Sequence, residues 1–171
     1  MAIFIETSRL ILKEMTETDV ENLFNLNIDP EVIRYTGDAS FNNVDEALNF
    51  IKSYREIYTT YKCGRLSVFI KETEEYIGWC GLKYLTKTNQ TDLGYRLMKK
   101  YWGKGYATEA AAACLEDGFK RLNLNKIIAT AMIENMASIN IFKKLGLKYV
   151  KNDDCGSRPG VVYAITKEEW K

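Results

Sequence analysis

The sequence predicts one α+β domain, residues 1–171, in which about four helices flank a central mixed, mostly antiparallel sheet of six to seven strands. Three observations predict this class. The length of 171 residues suits a single average domain. Short segments of strand pattern follow one another in the middle of the chain, and their brief polar connections favour antiparallel pairing. In the second half, strands alternate with amphipathic helices, which makes the sheet a mixed one.

The first third of the chain predicts a strand followed by helical segments. Residues 9–13 read as a short strand, and Thr16 and Asp19 then have the spacing of a capping box, which opens a helix. Asp29 precedes a proline and marks a second helix start, because proline suits the first helical position. Asn43 caps a third and longer helix.

The rest of the chain predicts six more strands and two helices. The clearest helix covers 107–122, where small and apolar residues follow the i, i+3, i+4, i+7 rule and indicate a face that lies close on a sheet. A strand over 126–132 is apolar on both faces and is therefore central. A second helix, 137–145, ends at Gly146. The remaining strands are predicted at 66–70, 76–84, 92–97, 147–151 and 161–166.

Composition excludes several classes of function. The chain has 24 Lys and Arg against 23 Asp and Glu, so no bulk positive charge is available to neutralise nucleic-acid phosphates, and no DNA partner is expected. It has no histidine, which excludes Ser-His-Asp catalysis, Cys-His catalysis and imidazole general bases. A general base must therefore be a carboxylate, Tyr, Lys, Cys or water.

The cysteines and the first residues predict a cytoplasmic protein without a metal site. The four cysteines are far apart in the sequence and lack a C-x-x-C pair, so neither a zinc ribbon nor a redox pair is indicated. We expect them to be buried free thiols, as in a reducing cytosol. Residues 1–6 lack the basic start and apolar core of a signal peptide, and no apolar run nears about 18 residues, so no membrane association is expected.

The junction between residues 99 and 107 is the first candidate site. It leaves a strand, passes Gly103 and Gly105, and enters the apolar-faced helix. Glycines let the backbone turn and expose N–H groups, the first helical turn adds unpaired donors, and the helix dipole favours negative charge. The junction therefore suits an anion; an ordinary tight turn before a helix is the alternative.

Two nucleotide-binding motifs are excluded. A dinucleotide fingerprint requires a glycine where Thr108 stands and an acidic residue about 20 positions later, where the chain offers Asn123, Asn125 and Lys126. No G-x-x-x-x-G-K-[ST] segment exists, so a P-loop is excluded as well.

A second constellation follows the central strand. Asn135-x-x-Ser138 begins the last helix, and Lys144-x-Gly146-Leu147 ends it. Together with the glycine junction, this arrangement resembles the GNAT N-acetyltransferase superfamily, most closely the RimJ/RimL-type branch that includes ribosomal-protein N-terminal acetyltransferases.

The resemblance runs nearly end to end and implies the fold. Segments 6–13, 77–82 and 92–97 are similar to the opening, third and fourth strands of that branch. The family fold implies a sheet splayed between its fourth and fifth strands, here 92–97 and 126–132, with the pantetheine arm of acetyl-coenzyme A admitted between them.

The resemblance also implies which residues bind acetyl-coenzyme A, the one cofactor expected. The glycine junction is similar to the family's pyrophosphate loop, Gln/Arg-x-x-Gly-x-Gly/Ala, with Lys100 at the Gln/Arg position. Asn135 is implied on the pantetheine side. The implied cofactor-binding residues are Leu97, Lys100, Gly103, Lys104, Gly105, Tyr106, Ala107, Asn135, Ser138 and Asn140.

The implied reaction is direct attack of a primary amine on the acetyl thioester. Many relatives carry a tyrosine general acid where this chain has Phe142, so Ser138 becomes the substitute candidate. Asp92 and Glu134 are the candidate bases, because both lie next to the strands expected to flank the cleft. Leu97 completes the catalytic set, since its backbone N–H is implied to face the thioester carbonyl.

The acceptor remains open between two classes of amine. An α-amine with a pKa near 7.7–8.0 costs about 1 kcal/mol to deprotonate at neutral pH, whereas a lysine-like amine near 10.4 costs roughly 4–5 kcal/mol. This cost and the branch resemblance favour a protein or peptide N-terminus over a small amine such as a polyamine or aminoglycoside. We expect the acceptor to face residues 29–41, the helix after them, and 152–158.

Two other classes of function stay open at this point. One is a coenzyme A-binding module without turnover, which the residues at Phe142 and Leu147 permit. The other is an RNA-binding surface on Lys99, Lys100 and Lys104. The chain is expected to be a monomer or a homodimer.

Overall fold

In the computed structural model, which describes residues 2–170, an eight-stranded sheet runs between two layers of helices. The strands are Phe4–Glu6 (β1), Leu10–Glu14 (β2), Arg65–Ile70 (β3), Tyr76–Leu85 (β4), Gln90–Leu97 (β5), Lys126–Met132 (β6), Lys148–Cys155 (β7) and Arg158–Thr166 (β8). The helices are Val20–Ile28 (α1), Pro30–Ile33 (α2), Val44–Tyr61 (α3), Tyr106–Lys120 (α4) and Met136–Lys144 (α5). Short 3₁₀ turns occupy Glu17–Asp19 and Lys99–Tyr101.

The predicted fold class is confirmed, and the structure adds detail to the counts. The sheet has eight strands, against six to seven predicted. The additional strand is β1, which at three residues is too short to show an alternating pattern in the sequence. The prediction at 126–132 coincides with β6. The last hairpin is longer than predicted: β7 continues to Cys155 through polar, exposed residues, since its pairing with β8 rather than burial holds it extended.

The predicted helix starts are confirmed. The Asp29 carboxylate accepts a hydrogen bond from the backbone N–H of Glu31, and Asn43 accepts one from Glu46. The capping box of Thr16 and Asp19 is present, although it opens a 3₁₀ turn that leads into α1. The helices therefore begin where local side-chain chemistry predicts.

Alternating residues of β4 separate the two helical layers. Cys80 is buried against Cys114 of α4, whereas its neighbour Trp79 packs in a cluster with residues of α1 and α3. The small face of α4 lies very close to the sheet: a Cβ at Gly118 would stand 2.7 Å from a methyl group of Ile127. This close approach fixes the distance between the last turn of α4 and the sheet.

The thiols are placed mostly as expected. Three cysteines are buried and free, and the fourth, Cys155, is only partly buried. The Sγ atoms of Cys80 and Cys114 are 3.7 Å apart, and no local motif signals this contact. None of the helices within residues 2–170 has both the length and the hydropathy that crossing a bilayer requires.

The sheet order β1-β2-β3-β4-β5-β6-β8-β7 contains one parallel pair, β5 with β6. That pair is joined at a single register position, Asp92 opposite Ile128, whereas β4 and β5 pair over eight positions and β6 and β8 over seven. Beyond Asp92 the two strands separate toward Leu97 and Met132. The sheet is therefore open on this side at the carboxyl ends of β5 and β6.

Candidate functional site

A cleft of about 490 Å³ lies at this opening. Its walls are the end of β5, the glycine junction with the first turn of α4, the first turns of α5, and α2 with the residues that follow it. Eight predicted residues line it: Leu97, Gly103, Gly105, Tyr106, Ala107, Asn135, Ser138 and Asn140. The cleft thus brings together most of the residues predicted to bind the cofactor.

The glycine junction presents unpaired backbone donors to the cleft. Gly103 and Gly105 both adopt left-handed backbone conformations, with φ of 72° and 79°. The hydrogen-bond ladder of α4 begins with the N–H of Glu109 on the Gly105 carbonyl, so the three preceding helical N–H groups have no partner within the helix. A Cβ built at Gly103 meets nothing within 4 Å. The junction is therefore open, donor-rich and at the positive end of a helix dipole.

Glu109 ties the first turn of α4 to the beginning of the chain. Its Oε1 accepts hydrogen bonds from the Thr7 hydroxyl at 2.6 Å, the Ser8 hydroxyl at 3.1 Å and the Arg9 N–H at 3.0 Å. Its Oε2 pairs with the Arg9 Nε at 2.6 Å. Partial burial raises the pKa of Glu109, but the hydrogen bonds from Thr7, Arg9 and Ser8 outweigh it and lower that pKa below its ordinary value. Both oxygens of the Glu109 carboxylate are therefore used in contacts that hold α4 to the beginning of the chain.

Arg9 extends this contact to the junction itself. Its Nη1 donates to the Lys104 carbonyl at 3.0 Å, and its guanidinium lies 4.6 Å from the centre of the Tyr106 ring. A Cβ at Gly105 would stand 3.3 Å from Nη2 of the same side chain. Arg9 therefore holds the junction from outside. Sequence reasoning missed this role, because no local signal links residues about a hundred positions apart.

The two predicted lysines lie outside the lining. The Nζ of Lys100 is 3.9 Å from the Glu75 carboxylate and 4.7 Å from the centre of the Tyr101 ring. The Nζ of Lys104 lies 5.7 Å from the same ring. Both ammonium groups stay at the surface beside the junction, where they add positive potential without entering the cleft.

Leu97 directs its backbone polar groups into the opening. Its carbonyl accepts a hydrogen bond from the indole Nε1 of Trp102 at 2.8 Å. In an extended residue, the N–H and C=O lie on the same side of the strand. The next N–H along the chain, that of Met98, donates to the Ile77 carbonyl of β4 at 2.9 Å. Because successive N–H groups of a strand point to opposite sides, the Leu97 N–H points away from β4, toward the gap left by β6.

The first turn of α5 forms the opposite wall. The Asn135 side chain caps this helix by accepting from the Ser138 N–H at 3.2 Å. Phe142 lies one turn further and is buried, with its ring packed edge-on against Tyr95 of β5 at 6.4 Å between centroids. Tyr95 itself lines the cleft.

The carboxylates predicted as bases lie outside the lining and are held in ion pairs. The Asp92 Oδ2 is 2.5 Å from Nη2 of Arg65, with both side chains largely buried. Burial raises the pKa of Asp92, and the Arg65 guanidinium opposes that rise. Glu134 is exposed and pairs with Arg158. One carboxylate lines the cleft within the described chain, Glu31, and its Oε1 stands 3.5 Å from Nζ of Lys99.

The α2 region, which lies within the 29–41 segment predicted to face the acceptor, lines one side of the cleft. Arg96 also lines it and was not predicted; its side chain is 9% exposed and donates to Asn27 and Asp38. No residue of α3 or of 152–158 belongs to the lining, although backbone of the β7–β8 hairpin contacts Gly37. Across residues 2–170, no three Cys, Asp or Glu side chains cluster as a metal-ligand group.

Comparison with known proteins agrees with this geometry. Residues 9–148 match the family model described as "Acetyltransferase (GNAT) domain". An uncharacterized N-acetyltransferase p20 of Bacillus licheniformis is 35% identical over 143 residues, which is 83% of this chain and 80% of that protein. The FsC-acetyl coenzyme A-N(2)-transacetylase of Aspergillus fumigatus is 29% identical over 97% of this chain and 77% of its own length. A crystal structure of a GNAT-family acetyltransferase from Bacillus anthracis superimposes with a TM-score of 0.85 at 26% identity, covering 98% of this chain and all of the other.

Proposed function

Since the chain belongs to the GNAT acetyltransferase family, we propose that it transfers the acetyl group of acetyl-coenzyme A to the α-amine of a peptide or protein N-terminus. Acetyl transfer follows from the family, and the acceptor is the proposal. One observation carries it: within residues 2–170 the one carboxylate that lines the cleft, Glu31, stands 3.5 Å from the Lys99 ammonium, which favours an acceptor amine that loses its proton easily.

The residues of the cleft fit acetyl-coenzyme A. The unpaired N–H groups at the start of α4 and the open space at Gly103 suit a pyrophosphate, because backbone N–H groups at a helix N-terminus bind anions. We assign the junction from Gly103 to Ala107 to this role, with Lys100 and Lys104 contributing positive potential from outside. Asn135, Ser138 and Asn140 face the same space and are assigned to the pantetheine side.

The reaction proceeds by direct attack on the thioester. The amine nitrogen, once neutral, forms a bond to the acetyl carbon while the carbon–sulfur bond breaks and its electron pair goes to sulfur. The nitrogen then loses a second proton to water to give the amide, and the thiolate takes a proton from solvent. Acetyl-coenzyme A supplies an activated acyl group with a good leaving group. The Leu97 N–H, which points into the gap, stabilises the negative charge that develops on the carbonyl oxygen.

The amine is proposed to lose its proton to water. Asp92 and Glu134 remain engaged with Arg65 and Arg158, and the chain has no histidine. An α-amine near pKa 7.7–8.0 needs only about 1 kcal/mol for deprotonation at neutral pH, so a water chain suffices. A lysine-like amine would need roughly 4–5 kcal/mol, which argues against it. The resemblance to the RimJ/RimL-type branch supports the same acceptor.

A small-molecule amine is the second candidate. Among proteins that share this fold, the spermidine N-acetyltransferase of Vibrio cholerae acts on such an amine. A polyamine fits less well, because a polycation requires several carboxylates and the lining contributes Glu31 against Arg96 and Lys144.

An acceptor panel tests the proposal. Thiol release from acetyl-coenzyme A is measured with peptides that have a free α-amine, the same peptides blocked at the N-terminus but carrying a lysine, and spermidine. We expect the free peptides to give a kcat/KM at least about tenfold above the others. Faster turnover of spermidine or of the blocked peptides would overturn the α-amine acceptor, and coenzyme A binding without release for any amine would indicate a module without turnover.

A further inference from the structure

Tyr95 carries a buried hydroxyl group that makes no hydrogen bond of ordinary geometry within residues 2–170. Its side chain projects from β5 and lines the cleft. The hydroxyl oxygen is shielded from solvent, and within residues 2–170 it makes no hydrogen bond of ordinary geometry, although the Ser138 side chain lies nearby. Most buried hydroxyl groups in proteins have a partner, so an orphan beside a binding cleft calls for an explanation.

The surroundings of Tyr95 hold the hydroxyl toward α5. The ring is packed edge-on against the buried ring of Phe142, and the Ser138 side chain lies close enough to influence the ionisation of the phenol. Phe142 stands where many relatives place an acid tyrosine, and its ring has no donor. Tyr95 therefore holds a buried hydroxyl beside the Ser138 side chain, on the strand that faces α5 and next to the lining of the cleft.

We propose that the Tyr95 hydroxyl donates a hydrogen bond to the sulfur of acetyl-coenzyme A as the thiolate departs. The inference rests on the proposed function, since it concerns the same cleft. The carbon–sulfur bond breaks with its electron pair on sulfur, the phenol O–H points to that sulfur, and the thiolate takes its proton from solvent. No proton leaves Tyr95 in the net reaction.

A donor role, rather than proton transfer, follows from the chemistry of the phenol. Burial raises the pKa of Tyr95 above its ordinary value, and the neighbouring Ser138 side chain offsets only part of the rise. A thiol ionises near 8.5, below even an ordinary phenol near 10. Transfer of the proton to the thiolate is therefore uphill, whereas a hydrogen bond to the developing charge is favourable.

The first test replaces Tyr95→Phe, which removes the hydroxyl and keeps the ring. We expect kcat to fall roughly 10- to 100-fold while KM for acetyl-coenzyme A changes by less than about twofold. Tyr163→Phe is the matched control, because its ring also packs on Phe142, at 5.7 Å, and it lies outside the lining. Unchanged kcat in Tyr95→Phe would overturn the proposal.

The second test does not need turnover. Coenzyme A is bound to each variant, and the ionisation of its thiol is followed by the ultraviolet absorbance of the thiolate. A donor aimed at sulfur stabilises the thiolate, so the thiol pKa in wild type is expected about one unit below that in Tyr95→Phe, a tenfold change in ionisation. Equal pKa values would overturn the proposal. A shifted thiol pKa without turnover of any amine would instead overturn the acetyl-transfer function and leave the Tyr95 contact standing.

A third variant separates the hydroxyl from the packing. The double variant Tyr95→Phe with Phe142→Tyr keeps the two packed rings and moves the hydroxyl from the ring on β5 to the ring on α5. We expect at least about tenfold recovery of kcat or the wild-type thiol pKa. Failure of both, in a variant that melts within a few degrees of wild type, would show that Tyr95 acts through packing and would overturn the donor role.

Discussion

At the scale of single residues, the left-handed conformation of Gly105 sets the path of the chain into α4. At φ of 79°, a β-branched residue is strained, and its Cβ would stand 3.3 Å from Nη2 of Arg9. We expect Gly105→Val to weaken coenzyme A binding by at least about tenfold, because the exposed N–H groups lose their alignment. Isothermal titration calorimetry with coenzyme A measures the loss.

A second glycine provides the control for Gly105→Val. Gly156, in the turn between β7 and β8, has φ of 67° and lies outside the cleft. Gly156→Val is expected to cost about 1–2 kcal/mol of stability from the same backbone strain while coenzyme A affinity stays within twofold. Equal affinity of folded Gly105→Val and wild type would contradict the pyrophosphate seat.

Glu109 makes the free energy of unfolding depend on pH in the acidic range. Its pKa is lowered in the folded protein, so below the unfolded pKa near 4.5 the unfolded chain binds more protons and stability falls as pH falls. Glu109→Gln is expected to cost about 1–2 kcal/mol at pH 7 and to reduce the loss of stability below pH 4.5. Urea unfolding at both pH values measures the difference, and parallel pH profiles for variant and wild type would contradict the assignment.

The residues that the sequence could not reveal share one physical property. Gly103, Gly105 and Asn135 are visible because their local spacing alone defines a turn or a cap. Arg9 and Arg96 are not, since each acts through contacts with partners tens of residues away in the chain. Asp92 was predicted from its neighbours in the sequence, and only the registers of β3 on β4 and of β4 on β5 bring Arg65 to it.

At the scale of elements, the pair Arg65–Asp92 links β3 to β5 across the intervening β4. Arg65 also donates to the carbonyls of Gly81 and Asp92, so partners on β4 and β5 satisfy most of the guanidinium. Burial lowers the pKa of Arg65, but Asp92 outweighs this and raises it, which keeps the charge in place. The pair therefore fixes the part of β5 that precedes the opening.

Asp92→Asn tests whether this carboxylate is structural or a base. Leaving the Arg65 charge unpaired is expected to cost about 2–4 kcal/mol of stability, with kcat at saturating substrate within about twofold of wild type. Chemical denaturation and steady-state kinetics on the same sample provide both values. For comparison, Glu134→Gln breaks an exposed pair and is expected to cost less than about 1 kcal/mol.

The opposite pattern would restore the sequence-based prediction. A large fall in kcat with unchanged stability in either variant would identify Asp92 or Glu134 as the base and would exclude the water route.

Strand and helix bounds follow from the sequence where burial dictates them. The segment that forms β6 is apolar on both faces, and its bounds were predicted without error. Where pairing alone holds the backbone, as in the outer half of β7, the residues are polar and no alternation marks the strand. Capping residues located α2 and α3, because a side chain bonded to the next turn is a local interaction.

At the scale of the molecule, the opening between β5 and β6 divides the sheet into two halves that share a single paired position. A ligand seated in the opening contacts both halves and stabilises their arrangement. At a coenzyme A concentration of 100 times Kd, linkage adds about 2.7 kcal/mol, or roughly 5–10 °C in Tm for a domain of this size.

Thermal unfolding with and without coenzyme A measures this shift. We expect hydrogen exchange to slow at 95–97 and 130–132 on binding, since these residues border the opening. In Gly105→Val, a tenfold loss of affinity leaves the same concentration at about 10 times Kd, so the shift in Tm is expected to fall to about half or less. An unchanged Tm in wild type, or protection confined to one half of the sheet, would contradict a ligand that spans the opening.

The hydrogen bonds that Thr7, Ser8 and Arg9 make to Glu109 bear on where this domain can be cut. A fragment bounded by the family match, residues 9–148, drops Thr7 and Ser8 and removes β8, the partner of β6 at seven positions. Trimming the chain so that it begins at Arg9 is expected to loosen the glycine junction and the first turn of α4, almost a hundred residues downstream. Affinity tags and protease sites therefore belong ahead of β1. A truncation that removes Thr7 and Ser8 is expected to weaken coenzyme A binding indirectly, through the contacts that Glu109 loses.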